Sequence, residues 1–317
     1  MDLVSDAIAA VRVGRPASNR VRVEGRWCVR LPPYEGAGFH VVLTGSCWLL
    51  PDGGEPITLG PGDAVLLPHG AGHVLADGPA DARTVARAAS FEEFTRGARD
   101  DAALAAGATG PGGVELLCGK YRLDRSRAHP LMTELPEVVH LPSRAESTPE
   151  LRAAIGLLGR ELDGRRAGSE IAVPGLLDLL LVYMIRSWTA GAGADVGSWS
   201  AALGDPVVSA ALRALHADPA APWTTERLAA EAGVSRPTLA RRFTPLVGRP
   251  PMTYLTWWRL HLAAARLRDT EDSLGAVARR VGYGTPYALS HAFSREFGTT
   301  PGRYRAQRAR PAETGAG

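Results

Sequence analysis

The stretch Trp223-Thr-Thr-Glu-Arg-Leu-Ala-Ala-Glu-Ala-Gly-Val-Ser-Arg-Pro-Thr-Leu-Ala-Arg-Arg-Phe243, and its later counterpart Val281-Gly-Tyr-Gly-Thr-Pro-Tyr-Ala-Leu-Ser-His-Ala-Phe-Ser-Arg-Glu-Phe-Gly-Thr-Thr-Pro-Gly-Arg-Tyr-Arg305, decide how the chain is read. In the first, Leu228, Ala229 and Ala232 form the buried side of a short helix. Gly233 then supplies the positive φ that reverses the backbone. Ser235 caps a second helix from Arg236 to about Leu246, and Pro237 is tolerated in its first turn because the amide it lacks has no partner there. Leu239 and Phe243, four apart, face inward, which leaves Arg236, Pro237, Ala240 and Arg241 outward.

The second stretch repeats the plan. Leu274, Val277, Ala278 and Val281 build the support helix, Gly282 turns, and Thr285 opens a helix carrying Leu289, Phe293 and Phe297. Tyr287, Ser290, His291, Ser294 and Arg295 occupy its other sides. One such helical hairpin is a weak DNA signal, because many folds contain it; two copies are a strong one. Pro251 to about Arg268 forms the connecting helix, with Tyr254, Leu255, Trp258, Leu262 and Leu267 for packing. About eighteen residues at 1.5 Å each span about 27 Å, compatible with successive major-groove segments about 34 Å apart.

The two runs resemble the signature of AraC/XylS-type transcriptional regulators over roughly Asp205 to Arg308. His291 stands where that family commonly has Arg, and Leu289 where an aromatic is common. The resemblance implies a sequence-specific regulator. Arg241 is the candidate for a bidentate contact to guanine, while Arg242, Arg295 and the helix N-termini hold phosphates and set register.

Upstream, from Val21 to about Pro142, the texture is of short β-like runs separated by Gly and Pro: Val21–Val23, Trp27–Leu31, Phe39–Leu50, Pro56–Leu59, Ala64–Leu67, Val74–Leu75 and Val114–Leu123. Close turns between them indicate a sandwich or barrel. Gly62-Asp-Ala-Val-Leu-Leu-Pro-His-Gly-Ala-Gly-His-Val-Leu-Ala-Asp77 resembles the second motif of the cupin jelly roll, with His73 at a metal-ligand position. At the other ligand positions stand Pro32, Tyr34 and Gly38, so the usual metal triad is absent. The segment from Leu117 to Pro136 resembles the end of the sensory domain in cupin-bearing regulators of the same type.

The fold class expected is therefore α+β multidomain: an N-terminal cupin-like β jelly roll, then helices, then an all-α domain with two helix-turn-helix units. The divisions are a sensory domain over 1–145, a helical dimerisation segment over 146–192, a flexible linker over 193–204, the DNA-binding domain over 205–310 and a disordered tail over 311–317. Residues 1–17 begin with an amphipathic helix, and Ala82 to Gly113 is an exposed, loosely ordered insertion with a helical patch at Phe91–Phe94. In the helical segment, Leu151, Ile155, Leu158 and Leu162 form one stripe of a helix from Pro149 to about Arg166. The helix from Val173 to about Ala190 is apolar nearly all round, so it packs on its own barrel or pairs with a second copy.

Composition bounds the rest. With 317 residues, 45% hydrophobic and 22% charged, the chain is an ordinary globular protein with room for two or three domains. A net charge of +3 proves no nucleic-acid partner, but arginines crowd the C-terminal third. Of the 36 basic residues only Lys120 is lysine. Three cysteines and no signal-like N-terminus indicate a reducing cytoplasm. The most apolar run, Ile171 to Ile185, is broken by Pro174, Gly175 and Asp178 and is too short to cross a bilayer.

Two sites are expected in the barrel. Phe39, Val42, Trp48 and Leu66 would line an effector pocket. His40, His73 and Cys118, with Cys28 as a fourth, would make a Zn²⁺ or redox site: Cys118 alternates with Val114 and Leu116 toward the core, whereas Cys28 shares its face with Arg26 and Arg30. Cys47 falls outside the set, because it alternates with Val41 rather than His40. Partners expected are double-stranded promoter or operator DNA, a second copy of the chain, RNA polymerase and a small-molecule effector, with no membrane. The competing reading is a metal-dependent cupin enzyme fused to a DNA-targeting domain, which the missing triad disfavours. A purely structural DNA-bending protein is a third, in which the barrel would have no role.

Overall fold

In the computed structural model, residues 15–94, 113–122, 135–143, 149–163, 166–191 and 198–308 are described, together with Ile8 and Met132. The expected N-terminal helix, the insertion beyond residue 94 and the tail lie mostly outside them. Two compact units emerge, one spanning Val11–Gly193 and the other drawn chiefly from Ala194 onward.

The first unit is a sandwich of two five-stranded sheets. Its strands are β1 (Ala17–Val23), β2 (Cys28–Leu31), β3 (Ala37–Thr44), β4 (Cys47–Pro51), β5 (Ile57–Leu59), β6 (Ala64–Leu67) and β7 (His73–Ala76), then β8 (Ala89–Ser90), β9 (Val114–Tyr121) and β10 (Val139–Leu141). One sheet runs β1-β9-β3-β6-β10 and the other β5-β4-β7-β2-β8. Every pairing but β2–β8 is antiparallel. Val29, Val42, Cys47, Leu49, Val65, Leu75 and Leu116 fill the space between the sheets.

One expected strand, Phe39–Leu50, is two. Gly45, at φ 73, turns the chain between β3 and β4. That turn resets the alternation, so Cys47 and Leu49 point into the core and Trp48 between them is only half-buried. The segment after residue 82 is also firmer than expected, at least to residue 94. Asp81 caps a short helix, α1 (Ala82–Ala86), and Phe91 and Phe94 pack on the core, with Phe94 against Trp27 at 5.5 Å between centroids.

Two helices follow, α2 (Pro149–Asp163) and α3 (Ser169–Gly191). They pack within this unit rather than standing apart from it. Arg20 and Arg22 on β1 share Glu115 of β9 and both reach Asp163 at the end of α2. The Tyr121 hydroxyl donates to the Leu177 carbonyl of α3 at 2.7 Å. Pro174 does not interrupt α3, which has 23 residues and by length and composition is apolar enough to cross a bilayer, contrary to the sequence reading. Losing one backbone bond at a proline is survivable where packing holds the helix. Here Leu177, Leu180, Leu181, Met184 and Ile185 are fully buried inside the unit.

The second unit is all helical: α4 (Ser198–Gly204), α5 (Pro206–Ala217), α6 (Thr225–Glu231), α7 (Arg236–Val247), α8 (Pro251–Asp269), α9 (Leu274–Arg280), α10 (Pro286–Phe297) and α11 (Pro301–Arg308). Helix α4 corrects the expected flexible linker, whose second half is helical with Ala202 buried. The long helix α8 is the spine. Its Trp258 stacks on His216 of α5 at 4.3 Å, His261 lies 5.3 Å from Phe297 of α10, and Leu260, Ala263, Ala264 and Leu267 sit in the core of the second helix pair.

Candidate functional site

The helical unit presents two recognition helices built alike. Ser235 and Thr285 accept from the Thr238 and Ala288 amides at their N-termini, and Gly248 and Gly298 close them in the left-handed conformation. Leu239 with Phe243, and Leu289 with Phe293, are fully buried. Eight of the ten outward residues read from the sequence are exposed, seven of them being Arg236, Pro237, Ala240, Arg241 and Arg242 on α7 with His291 and Arg295 on α10. Tyr287 is exposed too, at 81%, while Ser290 and Ser294 are half-buried.

The arginines are not equivalent. Arg236 is 2.8 Å from Glu226 of the support helix, and Arg242 is 3.5 Å from Asp205, which caps α5. Among the described residues no partner holds Arg241. Elsewhere in the unit the basic crowding is partly structural: Arg305 donates to the Leu267 and Asp272 carbonyls, and Arg259 to those of Pro219 and Ala221. No local pattern marks these roles, which depend on carbonyls brought close by folding.

The sandwich holds a cavity of about 230 Å³, into which both sheets contribute. Its floor is His40, His73 and Cys118, at 2%, 1% and 3% exposure. Pro32, Tyr34 and Gly38, the three positions where a cupin triad would place ligands, also line it, and the exposed Lys120 sits on its wall. None of the four expected effector-pocket residues does. Phe39 and Leu66 are cross-strand partners on the opposite face of their sheet, where Phe39 packs on Tyr121 at 5.7 Å. Val42 lies deeper in the core, and Trp48 was turned outward by Gly45. Strict alternation from His40 would have excluded Phe39, since adjacent strand residues point to opposite faces.

Hydrogen bonds order the cavity floor. His73 Nδ1 lies 2.9 Å from the Ala71 carbonyl oxygen, which can only accept, so Nδ1 carries the proton and Nε2 is bare. His40 Nε2, 2.8 Å away, must then donate to it, leaving His40 Nδ1 to accept from the Cys118 thiol at 3.1 Å. Burial, then the neighbouring His73, pushes the His40 pKa well down; burial lowers His73 and raises Cys118. All three groups are neutral.

That chain does not fit the expected zinc. Cys118 and His73 sit on opposite edges of the His40 ring, so one ion cannot meet the sulfur and both imidazoles. Cys28 is elsewhere, half-buried opposite Ala76 and beside Asp77. Among the described residues no group of three or more His, Cys, Asp or Glu is placed to hold a metal. Cys47, left out by alternation, is a core neighbour of Cys118, with its thiol pushed up to about 12 by burial.

A jelly-roll sandwich with a closed polar floor, joined to a helical unit with two exposed recognition helices, defines a class of DNA-binding regulator with a cupin-like N-terminal half. Comparison with known proteins agrees. A cupin family model matches residues 2–190 and a helix-turn-helix domain model residues 228–307. A putative AraC-like transcription regulator of Streptomyces lividans is 36% identical over 96% of this chain and 98% of its own length. The HTH-type transcriptional regulator AlkR of Acinetobacter baylyi is 30% identical over 97% of this chain and 100% of its own. The DNA-binding domain of AdpA, solved in complex with a target DNA, aligns at 36% identity over 34% of this chain and 98% of that one, with a TM-score of 0.32. The chain belongs to the AraC-type family of transcription regulators. It is a DNA-binding regulator and not an enzyme, which removes the fused-cupin-enzyme alternative.

Proposed function

We propose that this regulator reads a two-part operator with the outward faces of α7 and α10, under control of a signal received in the N-terminal cavity. The observation that carries the reading is the pair of hydroxyl-capped helices, each with a buried Leu–Phe pair and an exposed polar face. Arg241, free of any partner among the described residues, is the base reader, and a bidentate contact to guanine is its natural use. Arg236, Arg242 and Arg295, with the two helix N-termini, hold phosphates. Tyr287, Ser290, His291 and Ser294 read the second half of the site, and Pro237 and Ala240 give close apolar approach in the first.

Residues 1–145 act as the receiving domain and 205–310 as the DNA-binding domain. The helical segment over 146–192 has two roles. Its inner face covers the outer side of the β1-β9-β3-β6-β10 sheet, which makes the buried Leu180 part of the monomer. Its outer face leaves Leu157, Ile171 and Leu179 exposed, and a second copy covers them in a homodimer. The regulator's work is at promoter DNA beside RNA polymerase, in the cytoplasm, a reading supported by its family of transcription regulators.

Selection of binding sites from a random duplex library with the full chain tests the reading. The expected result is a two-part consensus whose halves lie about 34 Å, one helical turn, apart. A library that emerges with no preferred sequence would overturn it. Light scattering of Leu179→Glu tests the dimer: a variant that stays folded and dimeric removes that surface from the proposal.

A further inference from the structure

The cavity floor contains a constellation that reading DNA does not use. Cys118 lies 3.1 Å from His40 Nδ1, His40 lies 2.8 Å from His73, and the Ala71 carbonyl fixes the His73 tautomer. A nucleophile within hydrogen-bond reach of a base, itself oriented by a third group, is the arrangement that activates a weak nucleophile. We propose that Cys118 is a covalent acceptor for a small α,β-unsaturated carbonyl compound entering this cavity, with His40 as its base and His73 as the positioning residue.

Three features select that class of electrophile. The cavity, at about 230 Å³, has room for several carbon atoms, and Leu31, Pro32 and Phe91 give it apolar walls. A hydroperoxide would need little of that volume and none of that surface. The floor is also buried and neutral, because burial holds the thiol and both imidazoles uncharged. No thiolate is stored there, so the proton must leave sulfur as the new bond forms, and conjugate addition leaves no net charge behind. Finally, a carbonyl oxygen finds donors: burial keeps the Tyr34 hydroxyl protonated, and Lys120, the only lysine of the chain, stands on the cavity wall.

The chemistry balances within the site. As Cys118 Sγ bonds to the β-carbon, its proton passes to His40 Nδ1, and the C=C electron pair moves onto the α-carbon and carbonyl oxygen as an enolate. His40 then returns the proton to the α-carbon. The thioether contains every atom of both partners; nothing is oxidised and nothing leaves. While His40 is cationic, its second N–H points at the bare Nε2 of His73, which is why the tautomer set by Ala71 matters.

As a signal, the adduct depends on the cavity being the receiving site of the regulator, but its chemistry is read without DNA. The full chain is treated with limiting methyl vinyl ketone and adducts are mapped by peptide mass, with the half-exposed Cys28 as internal reference and buried Cys47 as a second. Cys118 is expected to react about tenfold faster than Cys28. In His40→Gln the Cys118 rate falls on the order of 100-fold, the usual yield of a positioned base, while the Cys28 rate holds. His73→Gln gives a smaller fall. Circular dichroism matched to wild type qualifies each variant, and the wild-type ratio decides the matter if a variant does not fold. Three outcomes overturn the proposal: Cys28 labelled before Cys118, an unchanged Cys118 rate in folded His40→Gln, or a hydroperoxide converting Cys118 to the sulfenic acid where methyl vinyl ketone leaves it intact. Site selection with the unlabelled chain tests the regulatory reading separately.

Discussion

The first helix-turn-helix unit and the second share a frame and differ on the face they expose. Thr224 and Ser273 cap the support helices, Gly233 and Gly282 turn at φ 70 and 82, and a hydroxyl followed by a first-turn proline opens each recognition helix. On that common frame α7 shows Arg236, Arg241 and Arg242, whereas α10 shows Tyr287, His291 and the single Arg295. Backbone geometry and packing dictate the frame, so it repeats. The faces are free to diverge because they enter no packed core and hold only surface ion pairs, Arg236 with Glu226 and Arg242 with Asp205. Under the proposed function, binding through α7 would lean on charge and hydrogen bonds, and through α10 on ring and hydroxyl contacts.

The largest effect tests the equivalence of the frames. Phe243→Ala and Phe293→Ala each remove a fully buried ring from the centre of one unit. Each should cost about 3–5 kcal/mol in urea unfolding. One value near zero would mean that its unit is not held by the shared Leu–Phe plan.

The next effect separates the units. Alanine at Gly233 meets open space and carries only the left-handed backbone cost, about 1–2 kcal/mol. At Gly282 a Cβ would lie 2.8 Å from Ala220 Cα and 2.9 Å from the Arg259 guanidinium, which itself holds the Pro219 and Ala221 carbonyls. Overpacking adds about 1–3 kcal/mol there. Equal thermal shifts for the two variants would show that the loop between α5 and α6 yields freely.

This contrast between frame and detail also explains what the sequence discloses. The helical unit is legible because its signals are local: glycine after an apolar face, a hydroxyl cap, Leu and Phe four apart. Cys118 and His40 were brought together by alternation along two strands, a local rule that holds while the strand does. It failed at Gly45, where a turn inside an apolar run reversed Trp48 and Cys47. At Phe39 and Leu66 alternation holds, but the sheet carrying them is covered on both faces, so apolar character alone does not mark the inside. Tyr34 and Lys120 were legible only in part: the cupin register puts Tyr34 at a ligand position and alternation puts Lys120 on the face of Cys118, but neither shows that a cavity opens between them.

A smaller effect compares the faces. Arg241→Ala should lose about 1–3 kcal/mol of binding at one preferred base and relax the consensus there. Arg242→Ala, already shared with Asp205 at 3.5 Å, should weaken all sequences alike and lower the salt slope by about one. His291→Arg gives α10 a second guanidinium and should shift the selected sequence in the second half-site only. An unchanged selection profile for Arg241→Ala would remove it as a base reader.

The finest distinction lies in the caps. Removing a capping hydroxyl typically costs about 1 kcal/mol, because it strands a helix-terminal amide. Thr285 Oγ1 accepts from the Ala288 amide at 3.1 Å and has no competing partner among the described residues. Ser235 Oγ is 3.4 Å from the Thr238 amide and also bonds the Thr238 hydroxyl at 2.9 Å. A longer bond gives up less when lost, and the Thr238 hydroxyl remains close by to serve solvent. Thr285→Ala should therefore destabilise the chain more than Ser235→Ala, by a few tenths of a kcal/mol out of that total. Paired urea titrations resolve the order; a larger loss for Ser235→Ala would show that the hydroxyl pair, and not the amide bond, holds the start of α7.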